Sequence, residues 1–133
     1  MRIVRVYTGD DQRSHFADVE IEMRDSGLGG YMSVLHPARG VIFRETSGDY
    51  NLDFHNAPRR QYVVNLSGSV EIEIGSGEKR VLGPGSILLA EDTTGQATSV
   101  ARLLASRASA CSFLLIDWLV GWSIGRLVDW SID

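Results

Sequence analysis

"QYVVNLSGSVEIEIGSGEKRVLGPGSILLAEDTTG", residues 61–95, decides the fold class of this chain. "QYVVNLS" and "SVEIEI" are short runs rich in β-branched residues, each bounded by Gly, Ser or Asp. Such runs read as strands, and the turn around Gly75–Gly77 reads as a hairpin. Side chains alternate along a strand, so Gln61, Val63 and Asn65 share one face while Tyr62, Val64 and Leu66 share the other. The same period sends Val70, Ile72 and Ile74 toward a core and Glu71 and Glu73 toward water. "GPGS" then makes a tight turn into a short buried strand, "ILLA".

Working outward, the pattern persists. "RIVRVYT" (2–8) and "FADVEIEMRD" (16–25) alternate apolar and polar residues, as half-buried strands do. A strand is expected near Met32–Leu35, stopped by Pro37, and another from Val41 to Thr46. "YNLDFHNAPRR" (50–60) is extended, with Pro58 keeping it out of a ladder interior. About eight short strands, with no helix before residue 97, predict an all-β sandwich or barrel forming one domain over residues 1–96.

Composition narrows the function classes. The 133 residues carry a formal charge of −4 and no run of like charges, so nucleic acid is not an expected partner. The start shows neither the apolar core nor the cleavage site of an export signal, which makes the cytoplasm the expected location. The single cysteine, Cys111, excludes an internal disulfide, and no CxxC or paired-His spacing suggests zinc.

A small roll of this kind makes a ligand pocket by enclosing apolar walls with a few polar groups. Gln61, Asn65 and His55 are the candidate polar groups, and Arg44 is a fourth, although one of Arg44 and Glu45 must face outward. Each also has a structural reading: a histidine beside Asn and Pro that satisfies the local backbone, and an arginine in a surface ion pair worth roughly 0–1 kcal/mol. Glu91 and Asp92 are adjacent on one strand and so face opposite ways, which favours turn-forming and capping duty over a paired-carboxylate site. No nucleophile motif accompanies any of the three histidines.

"DFHNAPRRQYVVNLSGSVEIEIGSGEKRVLGPGSILLAEDTTG" (53–95) resembles the small single-domain cupins, a conserved jelly-roll β-barrel family. The first cupin motif has the form H-x-H-x(3,4)-E-x(6)-G, which places His55 at the first His, Ala57 at the second, Gln61 at the Glu and Gly68 at the Gly. The second motif, P-x-G-x(2)-H, places Gly95 at its Gly and Thr98 at its His. "GPGSILL" matches the turn and strand between them. The resemblance covers about residues 1–96 and points to an uncharacterised bacterial subgroup. Metal-dependent cupins hold iron, manganese, nickel or zinc on those His and Glu positions, whose nitrogen and oxygen donors suit such ions. Only His55 is retained here, so the resemblance implies a metal-free small-molecule binder. The alternative is a damaged copy of a metal-dependent isomerase or oxygenase whose intact relatives carry the ion. A homodimer is the expected partner state.

From residue 97 the chain departs from that pattern. All three tryptophans, Trp118, Trp122 and Trp130, fall in this tail, and turn signals nearly vanish. Two readings stay open. In one, an apolar tail with helix formers from Ala101 to Ala110 replaces the closing strands. It is not a spanning segment, because Asp117 and Arg126 interrupt the apolar run. In the other, the tail is out of frame from about Gln96. Codons for "QATSVA", shifted by one base, can spell G-H-V-S-R-A, and those for "ACSFLLID" can spell L-F-V-P-L-D and a stop. Those strings match the subgroup's landmarks. The nucleotide sequence around Gln96 separates the two.

Overall fold

The computed structural model describes residues 1–46, 51–55, 59–94, 101–105 and 111–118. The elements described are strands: β1 (Arg2–Thr8), β2 (Ser14–Glu20), β3 (Arg24–Asp25), β4 (Tyr31–Met32), β5 (Ala38–Thr46) and β6 (Asn51–His55) in the first half. The second half supplies β7 (Gln61–Ser67), β8 (Val70–Glu73), β9 (Lys79–Leu82), β10 (Ile87–Glu91), β11 (Ala101–Ala105) and β12 (Cys111–Trp118). The all-β expectation holds. The strand expected near Met32–Leu35 is only the two-residue β4, paired with β3 in a small ribbon.

Two larger sheets make the roll. One has six strands in the order β2-β1-β10-β7-β12-β5, and the other has four in the order β6-β11-β8-β9. Most pairs are antiparallel, but β1 runs parallel to β10. Register carries through the whole six-stranded sheet. Asp18, Val4, Leu88, Val63, Leu115 and Ile42 form one continuous cross-strand row. The next row on the same face joins Phe16, Val6, Ala90, Gln61, Asp117 and Gly40.

The core lies between the sheets. Val6, Leu88 and Ala90 from the six-stranded sheet meet Val70, Ile72, Ile74 and Leu82 from the other, with Val4, Phe16 and Val63 packed at the margin. Ile72 and Ile74 are 1% exposed, as their alternation with Glu71 and Glu73 requires. Burying each such side chain contributes about 1.5–3 kcal/mol. The turns that permit this packing use glycine where the backbone is left-handed. Gly77 (φ +88°) closes the β8–β9 hairpin and Gly85 (φ +82°) closes the turn before β10. At both positions an L side chain would be strained.

One side of the roll is fastened across its edges. β2 and β9 end their respective sheets, and Arg80 on β9 pairs with Asp18 on β2 at 3.2 Å while its guanidinium lies 5.6 Å from the Phe16 ring centroid. β5 ends the six-stranded sheet on the opposite side. The chain between β2 and β5 must therefore cross from one edge of that sheet to the other. The Tyr62 hydroxyl meets His36 Nδ1 at 3.2 Å, which places the end of this connection over the outer face.

The tail reading requires correction where it can be compared. Over residues 101–105 the helix formers lie in a strand: β11 sits between β6 and β8, satisfying its backbone groups on both sides. β12 likewise sits between β7 and β5. Ladder partners on both flanks outweigh intrinsic helix propensity, which amounts to only a few tenths of a kcal/mol per residue. Residues 106–110 and 119–133 lie outside the described residues, and with them Trp122 and Trp130. No helix among the described residues is long and apolar enough to cross a membrane.

Candidate functional site

The interior face of β7 carries the polar groups that the sequence singled out. Gln61 and Asn65 are both buried, at 7% and 1% exposure, and both point toward the core as the alternation predicts. They do not form one cluster. Four residues of strand separate them by roughly 13 Å, so they occupy opposite ends of the roll.

Asn65 stitches one end shut. Its Nδ2 donates to Gly68 O at 2.9 Å and to Leu82 O at 3.0 Å, binding the β7–β8 turn to the end of β9. Its backbone N–H donates to Ser86 O, and its carbonyl accepts from the Gly85 N–H. Gly68, the residue aligned with the closing glycine of the first motif, has a φ of +70° and offers its carbonyl to this clamp. The Asn65 Oδ1 is buried without a hydrogen-bond partner.

The other end is polar and differently arranged. Gln61 pairs in register with Ala90, and Asp92 follows Ala90 on the same face. Asp92 is 2% exposed and accepts from the Ser14 hydroxyl at a long 3.4 Å. Ser14 stands opposite Thr8 at the end of the β1–β2 pair. No hydrogen bond from the Gln61 amide is found among the described residues. An amide has two donors and two acceptor positions, so this one can both donate to and accept from whatever shares the space.

Arg44 and His55 are placed by backbone register. Arg44 lies opposite Phe113, which in turn lies opposite Asn65, so Arg44 occupies the Asn65 level two strands away. It is half-buried and its neighbour Glu45 is exposed, which settles which of the pair faces outward. His55 ends β6 in the other sheet, opposite Ala101; its side chain is outside what the structure describes. Ala57 and Thr98, at the second and third His positions of the motifs, also lie outside the described residues.

Glu91 and Asp92 do face opposite ways, but neither is a turn cap. On the outer face Glu91 is gripped by the guanidinium groups of Arg5 and Arg60. Arg5 stacks 4.3 Å from the Tyr7 ring centroid, and Tyr7 leans on His15, whose Nε2 meets Asp11 at 2.9 Å. That contact and the Arg13 backbone N–H hold the Asp11 carboxyl below its ordinary range. Burial pushes the Tyr62 phenol up, with Glu91 adding to the rise and Arg60 opposing it. Beyond this belt lies a cleft of about 220 Å³ lined by Glu20, Ile21, Glu22, Arg24, Val34 and His36. The sequence signal for Asp92 was present: it continues the inward alternation of Leu88 and Ala90, and an inward carboxylate is rarely idle.

Among the described residues no three His, Cys, Asp or Glu side chains converge on a point that could hold a metal ion. The donor set at the motif positions does not fit a first-row transition metal either. One imidazole, one neutral amide, a methyl group and a hydroxyl supply neither the charge nor the number of nitrogen donors that such an ion requires.

No family model and no curated protein matches the chain. Among solved structures it is similar to an uncharacterized conserved protein with a double-stranded beta-helix domain from Klebsiella pneumoniae subsp. pneumoniae. The two share 19% identity over 74% of this chain and 91% of that one, with a TM-score of 0.46. The likeness is one of fold.

Proposed function

We propose that the chain is a small-molecule-binding roll that takes a small polar guest at the Gln61–Asp92 end of its interior and carries no resident metal. The observation behind this reading is the Gln61 amide: buried, facing the core and engaged by no hydrogen bond among the described residues. Leaving such a group unpaired costs roughly 1–3 kcal/mol, which a bound guest would recover. The nearby Asp92 carboxylate favours a guest that brings hydrogen-bond donors, so hydroxyl- or amide-bearing neutral molecules suit the site better than anions. Arg44, His55 and Asn65 are the further contacts in this reading, with the Asn65 Oδ1 as a buried acceptor. Nothing in it requires export, and the cytoplasm is the proposed location.

The test is a thermal-shift screen of neutral polyols, sugars and small amides, repeated on Gln61→Leu. A guest present at about a hundred times its Kd raises stability by about 2.7 kcal/mol. Gln61→Leu should abolish that rise while leaving the unliganded protein folded. No response from any compound, or a response unchanged in Gln61→Leu, refutes the proposal. Elemental analysis finding stoichiometric iron, manganese, nickel or zinc refutes its metal-free half.

A further inference from the structure

The four sheet edges are treated unequally. β2 presents Asp18 and Glu20, β9 presents Lys79 and Arg80, and the two are tied across the roll by the Arg80–Asp18 pair. Charged edges of this kind resist pairing with another chain. β5 has the opposite character. It is nine residues long, it pairs on one side with β12, and its centre is the uncharged run Val41-Ile42-Phe43, exposed at 50%, 36% and 77%. Among the described residues nothing occupies its other side.

We propose that β5 pairs with β5 of a second copy, antiparallel and centred on Ile42, joining two six-stranded sheets into one. A two-fold axis normal to the sheet keeps each face continuous, so a residue can oppose only a residue of its own face. With Ile42 on the axis, Val41 of one copy lies opposite Phe43 of the other, and the reverse. That is an aromatic–β-branched pair made twice, from the most exposed apolar side chains of the strand. The same register sets Arg39 opposite Glu45, also twice, turning the two flanks into complementary charges. Arg44 falls opposite Gly40, where no side chain obstructs it.

Neighbouring registers fail. Centring on Val41 sets Arg39 against Phe43, and centring on Phe43 sets Ile42 against Arg44. Only the Ile42-centred arrangement matches apolar with apolar and positive with negative along the whole strand. It also closes, because the same edge is used by both partners, so the product is a dimer rather than a fibre.

The test reads mass and register together. Sedimentation over a concentration series should show the wild type reaching twice the 14.6 kDa chain mass. Arg39→Glu and Glu45→Arg each place like charges opposite one another twice per dimer. Each should weaken association about tenfold, the scale of several cross-strand pair energies together. Mixing the two variants restores complementarity and should recover the wild-type dimer as a heterodimer. Both substitutions are on exposed positions, and far-UV circular dichroism confirms folding. Independently, Ile42→Cys in a Cys111→Ser background should form a disulfide with its own copy, since directly opposed Cα atoms lie about 4.5–5.5 Å apart. Phe43→Cys should not, because its copy is displaced two residues along the strand, at roughly 8 Å. Gln61→Leu should leave association unchanged, separating this result from the fate of the ligand reading. A wild type monomeric throughout overturns the proposal, including the case in which residues 119–133 cover the edge instead. A dimer indifferent to both charge reversals, or cross-linking through Phe43→Cys rather than Ile42→Cys, also overturns it.

Discussion

Replacing Asn65 and replacing Gln61 should have opposite consequences, although both are buried amides on one face of one strand. Asn65→Ala removes two donors at once and leaves the carbonyls of Gly68 and Leu82 without the groups that satisfied them at 2.9 and 3.0 Å. Each lost hydrogen bond costs about 1 kcal/mol net, and a stranded buried carbonyl raises that toward 1–3 kcal/mol. Relief of the unpartnered Oδ1 returns part of it. The balance is a loss of about 2–4 kcal/mol, or a fall in Tm of roughly 6–12 °C for a domain of this size. Asn65→Asp should be worse than alanine, because it turns a carboxylate oxygen toward a carbonyl where a donor stood. Gln61→Leu removes an amide with no hydrogen bond to lose, so its stability should stay within about 1 kcal/mol of wild type or rise. Urea unfolding followed by far-UV circular dichroism measures all three. If Asn65→Ala is neutral, or if Gln61→Leu costs as much as Asn65→Ala, then the division between a structural clamp and an open binding group is wrong.

Three further outcomes follow from the same coordinates. Ile72→Ala, at the centre of the core and 1% exposed, should cost about 2–5 kcal/mol in the same unfolding assay. Glu91→Gln should cost about 1–2 kcal/mol, less than a fully buried pair because Arg5 and Arg60 are each about one-third exposed, and added salt should narrow the difference. Tyr62 has a raised pKa in the fold, so its contribution to stability is complete below the unfolded phenol's pKa of about 10 and is lost as pH climbs through the folded value. Tyr62→Phe should flatten the alkaline end of the stability–pH curve, and ultraviolet titration of the phenols should lose its highest-pH component.

The parts of this molecule that were legible in its sequence are those where one face is buried and the other wet. β8 announces itself because Val70, Ile72 and Ile74 must be inside if Glu71 and Glu73 are outside, and the structure keeps that division. Gln61 and Asn65 were placed on one interior face by the same period, but periodicity carries no distance. It could not say that four residues of extended chain set them at opposite ends, or that Asn65 has its hydrogens committed to carbonyls from two other segments. Asp92 was misread for a related reason. Adjacent carboxylates before a Thr-Thr-Gly turn look like turn chemistry, whereas Asp92 continues the inward row of β10 and Glu91 meets two arginines from β1 and from the segment before β7.

The strands beyond residue 96 show where local reading fails in principle. β12 lies between two neighbours, and a central strand needs no alternation, so "CSFLLID" offers no period by which to identify it. Its place is set by β5 and β7, strands some fifty and seventy residues earlier in the chain, each offering one edge. Whatever supplies residues 111–118, an apolar extended segment arriving between those edges completes the sheet. The fold thus demands little of that sequence beyond apolarity and freedom from proline. The same physics reaches β5: once β12 satisfies one of its sides, the other is the nine-residue edge whose apolar centre and opposed flanking charges fit a second copy of itself.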